Sequence, residues 1–413
     1  MKTKAVRLYG KNDLRLEEFE LAPLKEDEIR IKVIADSVCM STYKTAMQGE
    51  AHMRVPNNVA ENPIIVGHEF CAEIVEVGDK WKNAYSIGEK VIMPPVLEYL
   101  GGVDTVGYSF ADIGGVSTYS TVYGHIIENG YLIKLQSDAF FSGSLIEPAS
   151  CVLRGYKANF HLGDAQNHVM GIKQGGRLAI LAGCGPMGLA AIDCALHGDV
   201  KPSLVVVTDI DEARLSRAQS IFTPEKAAKD GITLVYTSAS DKDSLLALSD
   251  GKGFDDVFVY APAAAVVELA DKILAFDGCL NFFAGPTDKN FSANFNFYNV
   301  HYARHHVVGT SGSTPDDMRD IVRLIGEKRL NPAVMITHIG GIDAAIDTTL
   351  RLPQIPGGKK LIYTHINLPL TAIADFEKLG KKDERFAALA KIVNDHNGLW
   401  CAQAEEYLLK HWN

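Results

Sequence analysis

Positive charge is in short supply in this 413-residue sequence: 41 Lys and Arg stand against 51 Asp and Glu, a formal net charge of −10 at pH 7. Nucleic acid and anionic membranes both call for a basic surface, so unassisted binding to either is argued against. A long hydrophobic run is missing as well. The stretch 178–192 is uncharged and mostly apolar, but three glycines and a proline fall within six of its residues, which does not suit a membrane-spanning helix. The N-terminus opens on a strand-like alternation rather than an apolar signal region. Cysteine is sparse and scattered, at 39, 71, 151, 184, 194, 279 and 401. An odd number without short spacings fits reduced thiols better than a disulfide framework. Internal repeats and low-complexity tracts are also lacking. These absences predict a soluble, cytoplasmic protein. Its 47% hydrophobic content and its length suit two or three domains with sizeable cores.

Two textures divide the chain. Residues 1 to about 150 carry short alternating runs, Ala5–Tyr9, Ile29–Ile34, Glu73–Val77 and Lys90–Met93, separated by turn residues, as in a barrel or sandwich of short strands. The segment Glu98–Val116, rich in Gly, Asp and aromatics, reads as a long loop or lobe. From Leu145 onward strands and helices alternate. A helix is expected from Glu147-Pro148 to about Phe160, with strands at Leu178–Leu181, Leu204–Asp209, Asp256–Tyr260, Cys279–Ala284 and His306–Gly309. That order implies a parallel sheet with crossover helices. The tail from Leu368 to Asn413 is helical by pattern, with Phe386, Leu389, Ile392 and Val393 on one face and Gly398 as a stop.

Gly183-Cys184-Gly185-Pro186-Met187-Gly188 follows a strand and opens a helix, and Asp209 ends the next strand. This context turns a weak glycine pattern into a dinucleotide-binding motif. Gly183 allows the tight turn, Gly185 admits a pyrophosphate, and Gly188 lets helix pack on strand, with Pro186 and Met187 in the first turn. Asp209 would accept bonds from ribose hydroxyls and repel a 2′-phosphate, favouring NAD(H) over NADP(H), and Arg214 is close enough to soften that preference. The alternative is a glycine turn serving another nucleotide or none. A second constellation comprises Cys39, the adjacent His68 and Glu69, and Glu147. Thiolate, imidazole and carboxylate form a plausible zinc set. Each residue alone also has an ordinary structural reading, and the spacing by itself leaves the question open.

The order Cys39, Gly67-His68-Glu69, Glu147-Pro148, Gly183–Gly188, Asp209 and Gly357-Gly358-Lys359-Lys360 resembles the zinc-dependent medium-chain alcohol/polyol dehydrogenases over about residues 4 to 364. Residues 2–10, the segment Cys39–Lys44 and the extended tail are similar to the sorbose-1-phosphate reductase subgroup. The resemblance implies an α/β fold in which a GroES-like β-rich catalytic domain is joined to a Rossmann-type, doubly wound parallel-sheet domain. The expected boundaries are 1–151 for the first part of the catalytic domain, 152–310 for the nucleotide domain, and 311–413 for the return to the catalytic domain with a helical tail. It also implies zinc at Cys39, His68 and Glu147, with Glu69 a fourth ligand or an exchanging neighbour, and Ser41 as the hydroxyl that bonds the reacting oxygen. Thr42 stands where relatives carry an Asp that supports the zinc-bound His, so support is expected from elsewhere. Lys44 replaces a relay His. The lobe 98–116 has no cysteine, so a four-cysteine structural zinc is not expected there.

The implied reaction interconverts a ketose phosphate and a polyol phosphate (the L-sorbose 1-phosphate to D-glucitol 6-phosphate type), with zinc as Lewis acid and hydride from a nicotinamide. Ser41 would relay the proton, onward to Lys44 or water, and Glu69 stands beside it. Candidate phosphate contacts are Lys44, Arg154, His301 and Arg304, drawn partly from the cationic run 301–306. The alternatives are a non-phosphorylated polyol, secondary alcohol or threonine dehydrogenase, a zinc-free quinone or enal reductase, and a non-catalytic nucleotide-binding protein. A homodimer or homotetramer is expected from pairing along the edge of the nucleotide-domain sheet.

Overall fold

A computed structural model describes residues 1–164 and 167–412. Asn413, the end of the tail expected to be helical, lies outside the described residues. The chain divides into two compact units, one of Met1–Glu147, Thr314–Val322 and Ile336–Asn413, the other of Pro148–Ser313 and Arg323–Met335.

The first unit is built around the strand Ile29–Ser37. One edge pairs antiparallel with Phe70–Val77, and the other with Tyr119–Val122 and then Lys359–Tyr363. Alternation explains the arrangement: Ile29, Ile31 and Val33 share a buried face with Phe70, Ala72 and Ile74, as a pleated strand of period two requires. Both strands run further toward the site than the sequence pattern indicates. Asp36 therefore lies within one of them, and Glu69 directly precedes the other. A second sheet pairs Lys2–Gly10 with Asp13–Glu20 and Ile64–Ile65. The lobe 98–116 has one short 3-10 turn, Glu98–Leu100, and otherwise follows the backbone of other segments, with Ile65 N donating to Phe110 O, Val116 N to Val66 O and Gly115 N to Gly67 O. Gly67 has φ 93°, and a Cβ there would lie 2.8 Å from Val116 N, so the turn before His68 accepts only glycine.

The tail folds as helices Phe376–Gly380, Glu384–Asp395 and Ala402–His411, with Gly398 at φ 75° after the second. Glu405 fastens it. Its carboxylate accepts from Phe140 N (2.6 Å), Phe141 N (2.7 Å) and the Tyr363 hydroxyl (2.8 Å), which in turn accepts from Trp400 Nε1 (2.8 Å).

The second unit holds a six-stranded parallel sheet. Across it run Thr233–Thr237, Leu204–Thr208, Arg177–Leu181, Phe254–Val259, Leu274–Phe282 and His306–Val308. In chain order this is 3-2-1-4-5-6, the doubly wound order whose reversal point lies between the first and fourth strands. The strand Thr233–Thr237 and the small hairpin Phe160–Leu162/His168–Met170 have no counterpart in the sequence reading.

Candidate active site

The glycine turn leaves the carboxyl end of Arg177–Leu181 at the sheet's reversal point and enters the helix Pro186–His197. A Cβ on Gly188 would lie 2.0 Å from the carbonyl oxygen of Gly183, so only glycine lets the helix approach the turn. A Cβ on Gly185 would meet nothing within 4 Å. That open space above a helix N-terminus, which no side chain caps, fits a pyrophosphate. Pro186 occupies the first helical position and Met187 follows, half-buried. Asp209 is buried at the end of the neighbouring strand. One of its oxygens accepts from Cys184 N and the other from Asp211 N, both at 3.1 Å, which fixes the carboxylate beside the turn and leaves lone pairs for a ribose. Arg214 lies 3.5 Å from Asp211 on the exposed start of the next helix.

In the first unit Cys39 ends an extended segment and caps the helix Met40–Gln48, an element not expected from the sequence. Its sulfur accepts from Ser41 N at 3.5 Å. Ligand atoms of Cys39, His68 and Glu69 lie within 4.8 Å of one another. Zinc ligands in a tetrahedral site sit about 3.3–3.8 Å apart, so a small contraction would close this set on an ion. The donor chemistry fits zinc. Burial holds the His68 imidazole down to about 4, opposed by Glu69 and reinforced by Lys359 and Arg54, so the ring is neutral at pH 7, as ligation requires. Burial, then the charge of Glu69, pushes the Cys39 thiol up to about 12, so an ion arriving there must displace a proton.

Three neighbours were not assigned roles by sequence reasoning. Lys359, buried, donates to both oxygens of Glu69 at 2.7 and 2.6 Å. Burial lowers its pKa, but the charges of Glu69, Cys39 and Glu147 outweigh that and hold it above the ordinary lysine value. Adjacent strand residues face opposite ways, and Lys360 turns back onto the carbonyls of Ile355, Pro356 and Gly358. Asp36 lies beneath the turn, its carboxyl raised well above the usual range by burial and then by Glu69. Tyr108, from the lobe, packs its ring 5.1 Å from that of His68, and its phenol stands near enough to the Ser41 side chain to feel it electrostatically. The only sequence signal for these residues was the Gly-Gly-Lys-Lys run.

The support expected from elsewhere comes from Thr42 itself. Its hydroxyl lies 3.4 Å from His68 Nδ1, which leaves Nε2 for coordination. Glu147 is buried in the first turn of Ile146–Ala158 and bears electrostatically on Cys39, Tyr108 and Lys359, but it stays outside the three-atom cluster. Lys44 lies one turn past Ser41 on the same helix. Arg154 is exposed on the helix Ile146–Ala158 of the other unit. His301 and Arg304 are exposed there too. Arg304 covers the Phe276 ring at 5.7 Å, at the amino end of the last two strands, whereas the glycine turn opens at the carboxyl end of the sheet.

A doubly wound sheet with a glycine turn, together with a buried sulfur, nitrogen and oxygen cluster beside a serine, defines the class of nucleotide-linked, metal-dependent oxidoreductases. Residues 25–129 match the alcohol dehydrogenase GroES-like domain and residues 186–327 the zinc-binding dehydrogenase family. The chain is 47% identical to an L-sorbose 1-phosphate reductase of Klebsiella pneumoniae over 413 residues, 99% of this chain and 98% of that one. It is 45% identical to a mannitol-1-phosphate 5-dehydrogenase of Aliivibrio fischeri over 416 residues, 100% of this chain and 98% of the relative. The crystal structure of 2R,3R-butanediol dehydrogenase from Bacillus subtilis superposes with a TM-score of 0.70 at 22% identity, covering 88% of this chain and 100% of that one. The chain belongs to the zinc-dependent medium-chain dehydrogenases. It is an oxidoreductase of the zinc alcohol dehydrogenase type, acting on CH–OH with a nicotinamide cofactor. Among the described residues, no helix is long and apolar enough to cross a membrane.

Proposed function

We propose that the protein interconverts a ketose phosphate and a polyol phosphate with NAD(H). The observation that carries this reading is full-length similarity to two relatives named for phosphorylated six-carbon substrates, joined to a site in which Ser41, through its backbone N–H, donates to the sulfur of the Cys39–His68 cluster. The relatives differ in where the phosphate sits. It is one carbon from the carbonyl in a 2-ketose 1-phosphate, and four from the oxidised carbon in a 1-phosphate 5-dehydrogenase. The shared chemistry, a phosphorylated polyol–ketose pair, is therefore assigned here first, and the L-sorbose 1-phosphate and D-glucitol 6-phosphate pair within it.

Cys39, His68 and Glu147 would hold the zinc, with Glu69 as a neighbour tied to Lys359. When bound, the ion supplies Lewis acidity at the reacting oxygen and the nicotinamide supplies hydride. The Ser41 hydroxyl holds the proton of the reacting alcohol. The Tyr108 phenol stands close to it, and Lys44 lies one turn further for onward transfer. The Asp209 carboxylate favours NAD(H) by accepting from a ribose and repelling a 2′-phosphate. Seven free cysteines accord with a reducing, cytoplasmic setting. The last strand His306–Val308 ends the sheet beside exposed Phe297, Tyr298 and Tyr302, and pairing along that edge would give a homodimer, or a tetramer of two such pairs.

A substrate panel tests the reading: L-sorbose 1-phosphate, fructose phosphates and the free ketoses, each with NADH and NADPH. Phosphorylated ketoses with NADH are expected to give the highest kcat/KM. Comparable turnover of sorbitol or a free ketose would move the assignment to a non-phosphorylated polyol dehydrogenase. Glu147→Ala is expected to lower bound zinc, and full zinc content at full rate would remove Glu147 from the ligand set.

A further inference from the structure

In this acidic chain, two basic side chains pack against the Tyr108 ring, and a third, Lys44, stands near one of them. Lys44 comes from the helix Met40–Gln48, three residues past Ser41 and so on the same helical face. His52 and Arg54 come from the turn that follows. The His52 ring stacks on Tyr108, with centroids 5.5 Å apart and planes 27° from parallel, and its Nδ1 accepts from Arg54 N at 3.2 Å. The guanidinium of Arg54 lies 5.9 Å from the centroid of the same ring. Ser109 Oγ donates to Arg54 O at 2.8 Å, which ties this turn to the lobe that carries Tyr108. Arg54 and Lys44 both stand near enough to His52 to disfavour its protonation, after burial, and Arg54 bears in the same sense on His68. Among the described residues, Arg54 has no carboxylate partner.

Resting on the sugar-phosphate reading above, we propose that Arg54, Lys44 and His52 form the subsite for the phosphoryl group of the substrate. Arg54 offers paired donors to two phosphoryl oxygens and Lys44 a point charge, while His52 supplies its free ring nitrogen. Tyr108 is the wall of this subsite. One of its ring neighbours is His68 of the ligand cluster, and others are His52 and Arg54. The ring therefore touches both the ligand cluster and the basic side chains that would hold the phosphoryl group. The assignment replaces His301, Arg304 and Arg154 as phosphate contacts.

The test compares wild type with Arg54→Gln, Lys44→Gln, the double variant and Arg54→Lys. It measures kcat and KM for L-sorbose 1-phosphate and for L-sorbose with NADH, and the Kd of D-glucitol 6-phosphate by calorimetry. Arg54→Gln is expected to raise KM for the phosphorylated ketose and the Kd of D-glucitol 6-phosphate by about 10- to 100-fold, the scale of a lost charge-assisted contact, with kcat changing far less. The preference for phosphorylated over free ketose falls with it, and Arg54→Lys recovers part of the loss. A double variant that keeps the wild-type preference and Kd within about threefold would overturn the subsite, while leaving the sugar-phosphate reading intact. Wild type without any preference for the phosphorylated ketose would overturn that reading, and the subsite with it. If Arg54→Gln fails to fold, Arg54→Lys and His52→Asn carry the same comparison.

Discussion

Glu405 makes the fold's response to pH run against the usual direction for a carboxylate. Burial is the largest influence on it and outweighs the two backbone amides and the Tyr363 hydroxyl, which favour the ionised form, so its pKa is raised from 4.5 to about 6. The folded state therefore binds this proton more tightly than the unfolded chain does. The stability it contributes is fully present below pH 4.5 and is lost as pH rises through 6. That difference in proton affinity corresponds to about 2 kcal/mol. Because other carboxylates act in the opposite sense, the quantity to follow is the stability of wild type minus that of Glu405→Gln, obtained from urea denaturation at intervals from pH 4 to 7.5. Trp400, buried and bonded to Tyr363, gives a fluorescence signal from the same network. The difference is expected to move against wild type by about 2 kcal/mol across this range, with most of the change between pH 4.5 and 6. A difference that stays flat, or that favours wild type as pH rises, would refute the balance of burial against hydrogen bonding described for Glu405.

Lys359→Met would leave Glu69 buried without its cation and should cost about 3–5 kcal/mol in denaturation of the first unit, with part of the loss recovered in the Glu69→Gln/Lys359→Met double variant. Thr42→Val removes the hydroxyl beside His68 Nδ1 and should weaken zinc binding about 10- to 100-fold in competition with a chelator. Gly188→Ala forces a Cβ to within 2.0 Å of a backbone oxygen and should weaken NADH binding in a fluorescence titration, together with a loss of about 1–3 kcal/mol from the second unit.

The nucleotide unit was the more legible part of the sequence because its signals are local. A buried apolar strand, a glycine turn and an acid at the end of the next strand lie within about 30 residues, the length of one βαβ unit. Thr233–Thr237 went unread because, as the outermost strand of the sheet, it is only half-buried and lacks a continuous apolar run. The helix Met40–Gln48 was hidden for a similar reason: polar Ser, Thr and Tyr dominate its sequence, and its start depends on Cys39 as a cap. Among the site residues, Cys39, His68 and Glu147 stood out by chemical type, whereas Lys359, Asp36, Tyr108 and Arg54 acquire meaning only through contacts across long sequence separations. Lys359 reaches Glu69 from 290 positions away. Thr42 lacks a carboxylate, and only the folded chain brings its hydroxyl beside the His68 ring.

The rate of NADH oxidation with L-sorbose 1-phosphate, measured before chelation, after removal of metal, and after zinc is restored, tests the central claim most directly. The account predicts turnover that disappears with the metal and returns with zinc, together with zinc in proportion to protein. Full turnover in metal-free protein would contradict it.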